Sequence, residues 1–243
     1  MRNAETTDIQ SMRLLDTNFM WKVFFAFAVL AAIALAISLA GRMAGRSIAM
    51  AGHTDDMSIA EVVIGNNVIA APKNAIRFDE QRRNGVASRL DLYLRWPDLS
   101  GYSDAARDDF NHASGKPNIL FLTFSERMTS RDMSGRYEPI YSRLTEPAGG
   151  EAGPAGLIPR RFTAQAGYSN EMLYVGERQG AEPFVARCLI ADGEVSLAPC
   201  ERDVQVGDGL SLAYRFPRAL LAEWKKLDAA MAAVSKTLLK TGS

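Results

Sequence analysis

The stretch that decides the architecture is residues 23–41, VFFAFAVLAAIALAISLAG. It runs for 19 residues without a charged side chain and is bounded by Lys22 and Arg42. A helix rises ~1.5 Å per residue, so this segment would span roughly 28 Å, close to the ~30 Å hydrocarbon core of a bilayer. Trp21 stands at one end, where an amphipathic ring favours the headgroup level. The sequence therefore predicts one transmembrane helix over residues 21–41.

A cleaved signal peptide is the alternative interpretation of this segment. Ser38-Leu39-Ala40 and Ala49-Met50-Ala51 both have the small residues of a cleavage site. The apolar core of a signal peptide has only ~7–15 residues, however, and this run is longer. The second site also lies behind two arginines, at a distance from the apolar run. We therefore expect an uncleaved anchor.

The flanking charges and the cysteines predict the orientation of this helix. Three basic residues precede the apolar run and two follow it closely: Arg2, Arg13 and Lys22, then Arg42 and Arg46. This excess places residues 1–20 in the cytoplasm as a short tail. The two cysteines of the chain both lie in the distal domain, and an even number fits an oxidising compartment. In a bacterium, the prediction is an inner-membrane protein with a periplasmic domain.

One face of the predicted span is built from small residues. They recur every four positions, and a GxxxG pattern follows; they are Ala28, Ala32, Ala36, Ala40, Gly41 and Gly45. Small residues at this spacing let two helices approach closely in lipid. Alanine is abundant in this segment, so chance also explains the pattern. The lipid bilayer is the first expected partner, and a second copy or another membrane helix is the next.

Residues 59–243 read as one β-rich domain, joined to the anchor by a linker over residues 42–58. Residues 89–96 (RLDLYLRW) alternate apolar and polar side chains, which is typical of a half-buried strand. Residues 118–124 (NILFLTF) are apolar on both faces and predict a central strand. Further strands are predicted over residues 61–69, 75–78, 172–175, 184–190, 194–197 and 210–216. The expected fold class is α+β.

A C-terminal amphipathic helix is predicted over residues 218–240. Its apolar positions follow one another at steps of four and three: Leu220, Trp224, Leu227, Met231, Val234 and Leu238. Such a stripe is typical of a helix that docks on its own sheet. It also suits a coiled coil or a groove-binding helix for a partner, or a cationic helix on the membrane surface. All three interpretations are open at this point.

Cys188 and Cys200 are predicted to form a disulfide. They lie 12 residues apart across Asp192-Gly193, a turn signal. A regular hairpin on that turn would place Cys188 opposite Leu197, and Pro199 would let the chain fold back to bring Cys200 close. Redox catalysis is disfavoured because the chain has no CxxC motif. No metal site is expected, since the only histidines are His53 and His112, far apart in sequence.

One motif offers an enzymatic alternative. Residues 101–105 (GYSDA) resemble a loosened GxSxG nucleophile elbow around Ser103, and His112 lies nearby. A true elbow needs a strand directly before the serine and a helix directly after it. Here four residues, 97–100, separate the predicted strand from the motif. A turn is the simpler interpretation, and a serine hydrolase using Ser103 and His112 is the alternative.

The charge and the remaining motifs exclude several classes of function. The chain has 28 basic and 28 acidic residues, which gives no global attraction to nucleic acid. It has no glycine-rich phosphate loop, and no cofactor is expected. The arginines near residues 77–89 read as a solvated face balanced by acidic neighbours. The sequence thus favours a non-enzymatic inner-membrane protein whose periplasmic domain binds a protein partner or envelope component.

Overall fold

A computed structural model describes residues 17–50, 52–116, 118–147, 149–190 and 197–240. The chain divides into two compact units, residues 1–51 and residues 52–243. The described residues of the first unit, 17–50, form one long helix. The second is a β-rich domain with a C-terminal helix, so the predicted α+β class is confirmed.

The described residues form four α-helices and ten strands. The helices are α1 (Thr17–Met50), α2 (Arg107–Phe110), α3 (Ser142–Leu144) and α4 (Trp224–Leu238). The first five strands are β1 (Ile59–Ile64), β2 (Asn67–Pro72), β3 (Gly85–Val86), β4 (Arg89–Arg95) and β5 (Ile119–Glu126). The other five are β6 (Ile158–Arg161), β7 (Glu171–Gly176), β8 (Phe184–Leu189), β9 (Cys200–Val206) and β10 (Leu210–Phe216).

Helix α1 contains the one described segment that is long and apolar enough to cross a membrane, Asn18–Gly41. None of its residues is buried. The helix continues to Met50, through most of the expected linker. Residues 52–58 belong to the second unit. Two hydrogen bonds hold the ends of this segment to the second unit. Arg82 Nη2 donates to the Gly52 carbonyl at 2.7 Å, and the Lys73 amide donates to the Ser58 carbonyl at 2.9 Å.

Two sheets organise the second unit. The larger is antiparallel throughout and has the order β4-β5-β10-β9-β8-β7-β6. The smaller has the order β2-β1-β3, with β1 and β2 forming a hairpin and β3 running parallel to β1. Because side chains alternate along a strand, each strand of the large sheet sends every second residue to the same face.

The main hydrophobic core lies on one face of the large sheet. There the inward residues of β4, β5 and β10 pack with the small sheet and α4. A second, smaller core lies on the opposite face, where the chain between β5 and β7 covers β7 and β8. Its buried members are Met133, Tyr141, Phe162, Leu173, Val175 and Val185.

The apolar stripe of the C-terminal helix packs inside its own domain. A short 3-10 helix, Arg218–Glu223, leads into α4. Leu220, Trp224, Leu227 and Met231 are buried, and Val234 and Leu238 pack against the same core. This stripe is therefore not presented to a partner helix or to a membrane surface. The interpretation as a docked terminal helix replaces those two alternatives.

Several strands differ from the prediction. The segment predicted as a strand over residues 61–69 forms parts of two strands, β1 and β2, and strands β4, β5, β7, β8 and β10 lie close to their predicted positions. Residues 75–78 contribute only a single bridge, Ile76 to Leu92. Strands β3, β6 and β9 were not predicted. Of the strand expected over residues 194–197, Leu197 lies in a bend and the other three residues fall outside the described ranges, as does the Asp192-Gly193 turn.

A buried asparagine ties the small sheet to the large one. Asn67 is 1% exposed. Its Nδ2 donates to the Asp208 carbonyl at 2.7 Å, and its Oδ1 accepts from the Asp208 amide at 2.9 Å. The Asn67 side chain thus satisfies both the backbone donor and the backbone acceptor of Asp208 in the β9–β10 turn.

Removing this pair gives a first test of the packing. We expect Asn67→Ala to lower the free energy of unfolding by about 1–3 kcal/mol, because two part-buried hydrogen bonds to the Asp208 backbone are lost and a small cavity is left at Asn67. The neighbouring Asn66→Ala is the control, since Asn66 is exposed and its Nδ2 donates to the Asp208 carboxylate at 2.9 Å. Urea denaturation measures both. Equal losses for the two variants would contradict the role given to Asn67.

Candidate functional site

A cleft of about 810 Å³ opens between α4, strands β9 and β10, and two connecting segments near residues 130–135 and 178–182. We call it the arginine cleft. The side chains that define its chemistry are Asp132, Ser134, Arg178, Arg202, Tyr214 and Asp228. Its volume lies in the range of sites that hold small ligands or inserted side chains.

Asp228 is the centre of the arginine cleft. Its Oδ1 accepts from Arg202 Nε at 3.2 Å and from the Tyr214 hydroxyl at 3.4 Å. Its Oδ2 lies 2.7 Å from Arg178 Nη2. Two guanidinium groups therefore share one carboxylate. Burial raises the pKa of Tyr214, so its hydroxyl stays protonated and donates.

Arg202 is the most deeply buried charge in the cleft, with 2% of its side chain exposed. Besides Asp228, its Nη1 donates to Ser134 Oγ at 3.0 Å and to the Val185 carbonyl at 2.9 Å. Its guanidinium carbon lies 4.7 Å from the centre of the Phe184 ring, a cation–π contact. These contacts compensate the loss of water around a buried cation.

The alternation of β9 explains why an arginine lies in the core. Cys200, Arg202 and Val204 share one face of the strand, and Glu201 and Asp203 share the other. The Cys200 face is the core face, so Arg202 must point inward and needs a counter-ion there. Helix α4 supplies the counter-ion. Asp228 follows Leu227, which is buried in the core, and its Oδ1 accepts from Arg202 Nε.

Sequence reasoning missed this site for a physical reason. Ser134, Arg178, Arg202 and Asp228 come from four separate segments, and no motif spacing links them. An arginine at an inward position also makes β9 look like a polar surface segment. If Cys200 is taken as the first residue of a strand, the alternation that follows places Arg202 on the same, core-facing side.

The opposite sheet face carries a second set of ion pairs. Arg136 pairs with Asp203, and Arg187 lies 3.1 Å from both Glu171 and Glu201. Burial raises the pKa of Asp203. Each basic group here has an acidic partner on the same face. The network therefore reads as structural, in contrast to the shared carboxylate of the arginine cleft.

The residues of the hydrolase alternative lie elsewhere. Ser103 is exposed, with ordinary extended backbone (φ −146°, ψ 156°), and it precedes the short 3-10 helix Asp104–Ala106. His112 is exposed and has a positive φ of 58°. Neither residue lines the arginine cleft. Since β4 ends at Arg95, Ser103 does not sit on the strand-to-helix turn that a nucleophile elbow requires.

The predicted disulfide between Cys188 and Cys200 is present. The two residues are directly opposite each other in the β8–β9 ladder. The expectation that Leu197 would face Cys188 is wrong, because β9 begins only at Cys200. The disulfide therefore links β8 to the first residue of β9.

The small-residue face of α1 is exposed along its described part. Ala28, Ala32, Ala36, Ala40 and Gly41 all lie on the surface of the helix. Gly45 is within α1, but its surroundings lie outside the described side chains. Within the described ranges, no group of three or more histidine, cysteine, aspartate or glutamate residues is placed to hold a metal ion.

His53, at the start of the second unit, lies in an aromatic socket. Its Nδ1 is 2.9 Å from the Tyr93 hydroxyl, and its Nε2 is 3.2 Å from Asn111 Oδ1. Its ring stacks on Tyr102 at 4.6 Å and meets Phe110 edge-on at 6.1 Å. Burial is the largest influence and lowers the pKa of His53 below its ordinary value of 6.5. The hydrogen bond to Asn111 opposes this shift, and the charges of Arg82 and His112 add to it.

The lowered pKa predicts a loss of stability in mild acid. The unfolded chain takes up a proton near pH 6.5, and the folded chain resists it. The contribution of His53 is therefore complete above pH 6.5 and falls as pH drops through the lower, folded-state pKa. Urea denaturation at several pH values should show the advantage of the wild type over His53→Phe shrinking as pH falls. An advantage that does not change with pH would refute the coupling.

Comparison with known proteins identifies no family. No protein-family model matches the chain, and no curated protein matches it in sequence. One similar solved structure is an immunity protein of the Stenotrophomonas maltophilia type IV secretion system. It has 14% identity and a TM-score of 0.49, over 76% of this chain and 94% of that one.

A second similar structure is the iron-regulated outer membrane lipoprotein FrpD of Neisseria meningitidis. It has 10% identity and a TM-score of 0.42, again over 76% of this chain and 94% of that one. At such identities and TM-scores, the function of this chain has to be argued from its own residues.

Proposed function

We propose that the chain is a single-pass inner-membrane protein with a cytoplasmic N-terminus, whose periplasmic domain binds a protein partner. One observation carries this proposal. Asn18–Gly41 is a 24-residue apolar helix in which no residue is buried. An apolar surface of this size needs lipid or another helix to cover it.

The disulfide supports the periplasmic location of the domain, and the arginine cleft supports the binding of a protein partner. Cys188 and Cys200 are bonded to each other, which suits a domain outside the reducing cytoplasm. The apolar stripe of α4 is used inside the domain, so a partner is recognised through another surface. The arginine cleft offers a polar surface of this kind. A binding role fits better than hydrolysis, because Ser103 does not have the backbone of a nucleophile elbow.

Crosslinking of the full-length chain in native membranes tests the proposal. We expect discrete crosslinked species in addition to the monomer. A strictly monomeric protein with no crosslinked neighbour would contradict a binding role.

The small-residue face of α1 has its own variants in the same experiment. Ala32→Ile with Ala36→Ile places bulk on that face, whereas Ala34→Ile places it on roughly the opposite side of the helix. If α1 associates with itself or with another membrane helix, the double variant loses a crosslinked species that the Ala34 variant keeps. Identical patterns for both variants would assign the contacts to the periplasmic domain.

A further inference from the structure

We propose that residues 52–54 form an acid-released clasp: His53 holds them in its aromatic socket at neutral pH, and protonation of the ring releases them in mild acid. These are the first described residues after α1. Their release lengthens the free connection between the anchor and the folded domain. That consequence rests on the proposed membrane anchor, whereas the chemistry of the clasp lies within the second unit.

Both nitrogens of the His53 ring are used when the ring is neutral. The Tyr93 hydroxyl lies 2.9 Å from Nδ1, and Asn111 Oδ1 lies 3.2 Å from Nε2. Because an amide oxygen only accepts, Nε2 carries the proton and donates to Asn111, and Nδ1 accepts from Tyr93. Burial raises the pKa of Tyr93 to about 12, so its hydroxyl keeps the proton that it donates.

A second proton on the ring is unfavourable in this socket. It turns Nδ1 from an acceptor into a donor, which ends the hydrogen bond that Tyr93 donates. The ring also becomes a cation in a half-buried place, and burial is the largest influence that lowers the pKa of His53. The charges of Arg82 and His112 lower it further, and the hydrogen bond to Asn111 opposes them.

The acidic groups around the socket do not offset these effects. Asp79 lies 3.2 Å from Arg82 Nη1 and is 90% exposed, and Asp104 accepts from the Tyr102 hydroxyl at 3.5 Å and is 66% exposed. Among the described residues, no carboxylate contributes to the pKa of His53. The other charged residues on the segments that form the socket are Arg77, Arg107, Asp108 and Asp109.

The sign of the effect follows from this lowered pKa. Above pH 6.5 the ring is neutral whether docked or released, and its stacking on Tyr102 at 4.6 Å keeps the clasp closed. Below pH 6.5 the released ring takes up a proton more readily than the docked ring. Release therefore grows as the pH falls and levels off below the docked pKa. It increases by about tenfold for each unit that separates the two pKa values.

Asp56 sets the limit of the release. Its Oδ1 accepts from the Ser58 amide at 2.8 Å, its Oδ2 lies 3.2 Å from Lys73 Nζ, and its carbonyl accepts from the Asn74 amide at 2.8 Å. Hydrogen bonding from Ser58 is the largest influence and lowers the pKa of Asp56 to about 2, so the carboxylate stays charged in mild acid. Acid therefore frees residues 52–54 only, which is roughly 10 Å of extended chain.

Nuclear magnetic resonance of the full-length protein in detergent micelles, labelled with [13C]histidine, tests the clasp. The chain has two histidines, and His112→Asn identifies the His53 signals. Asparagine tolerates the positive φ of 58° at that position. Chemical shifts are compared with those of a free histidine peptide at the same pH, so that the difference reports the ring currents of Tyr102 and Phe110.

We expect this difference to be present at pH 7.5 and to disappear below pH 6.5 as the ring takes up its proton. The fluorescence of the buried Trp96 and Trp224 should stay constant over the same range, because the rest of the domain remains folded. A protonated His53 that keeps its ring-current shift would overturn the inference. Loss of the shift only at the pH where the tryptophan signal also changes would overturn it as well.

A charge added inside the socket should close the clasp again. Asn111→Asp places a carboxylate against Nε2, which favours the protonated ring. We expect this variant to keep the ring-current shift at a pH where the wild type has lost it. Asn84→Asp is the control, since it adds the same charge at an exposed site whose Oδ1 accepts from the Glu61 amide. Release of both variants at the pH of the wild type would show that protonation of His53 does not open the clasp.

The clasp and the proposed function fail separately. If the ring-current shift disappears in acid but a reporter fused to the domain is cytoplasmic, then the clasp stands and the proposed orientation is wrong. If the domain is periplasmic and the shift does not depend on pH, then the clasp alone is wrong.

Discussion

Replacing Asp228 by asparagine is expected to lower the free energy of unfolding by about 3 kcal/mol, near the lower end for a broken buried ion pair. The substitution keeps the shape of the side chain and removes its charge. Arg202, 2% exposed, is then left with neutral partners only, and Arg178 loses its counter-ion as well. Urea denaturation of the full-length protein in detergent measures the change.

A surface ion pair next to the same helix provides the control. Glu223 lies 3.5 Å from Lys226, and both side chains are about half exposed. Glu223→Gln should therefore change stability by no more than about 0.5 kcal/mol. Arg202→Met combined with Asp228→Asn should cost less than the sum of the single changes, because the two groups interact directly. Equal effects of Asp228→Asn and Glu223→Gln would show that the cleft does not depend on the shared carboxylate.

Trp224→Ala is expected to cost about 3–5 kcal/mol, the usual range for removing a buried tryptophan. Trp224 packs against Phe184 with ring centres 4.8 Å apart, and its Nε1 donates to the Ala155 carbonyl at 3.1 Å. Gly176 leaves space for the indole, since a Cβ at that position would lie 2.9 Å from Trp224. Thermal or urea unfolding measures the loss.

The same variant tests how the helix stripe is used. Lys236→Ala is the control on the exposed side of α4 and should change stability by less than about 0.5 kcal/mol. A Trp224→Ala protein as stable as the Lys236 variant would mean that the stripe does not hold the domain together. The interpretation as a partner-binding stripe would then return.

The parts of the fold that were predicted are those with strong local patterns. The uncharged run in α1 and the four-and-three stripe of the terminal helix are each visible within one element. The alternation over residues 89–96 located β4, although this strand is buried on both faces and not half-buried as predicted. The disulfide followed from having two cysteines across a turn signal. None of these needs knowledge of distant residues.

The parts that were missed depend on contacts between distant segments. In β9 the inward position holds Arg202, so its alternation of apolar residues is broken by a charge that only Asp228 makes tolerable. Strand β6 has four residues, one of them Pro159, at the edge of the sheet. The arginine cleft depends on the first of these features, since Arg202 on β9 lines it, and no local pattern indicated it.

The central claim is that α1 anchors the chain in the inner membrane with the disulfide-bonded domain outside the cytoplasm. The most direct measurement is the activity of alkaline phosphatase fused to the C-terminus of the full-length chain, in carbonate-washed membranes of a Gram-negative host. The claim predicts an active fusion that stays in the membrane at the full-length size, because the enzyme matures only in the periplasm. An inactive fusion in the membrane, or an active one released in shortened soluble form, would contradict the orientation or the anchor respectively.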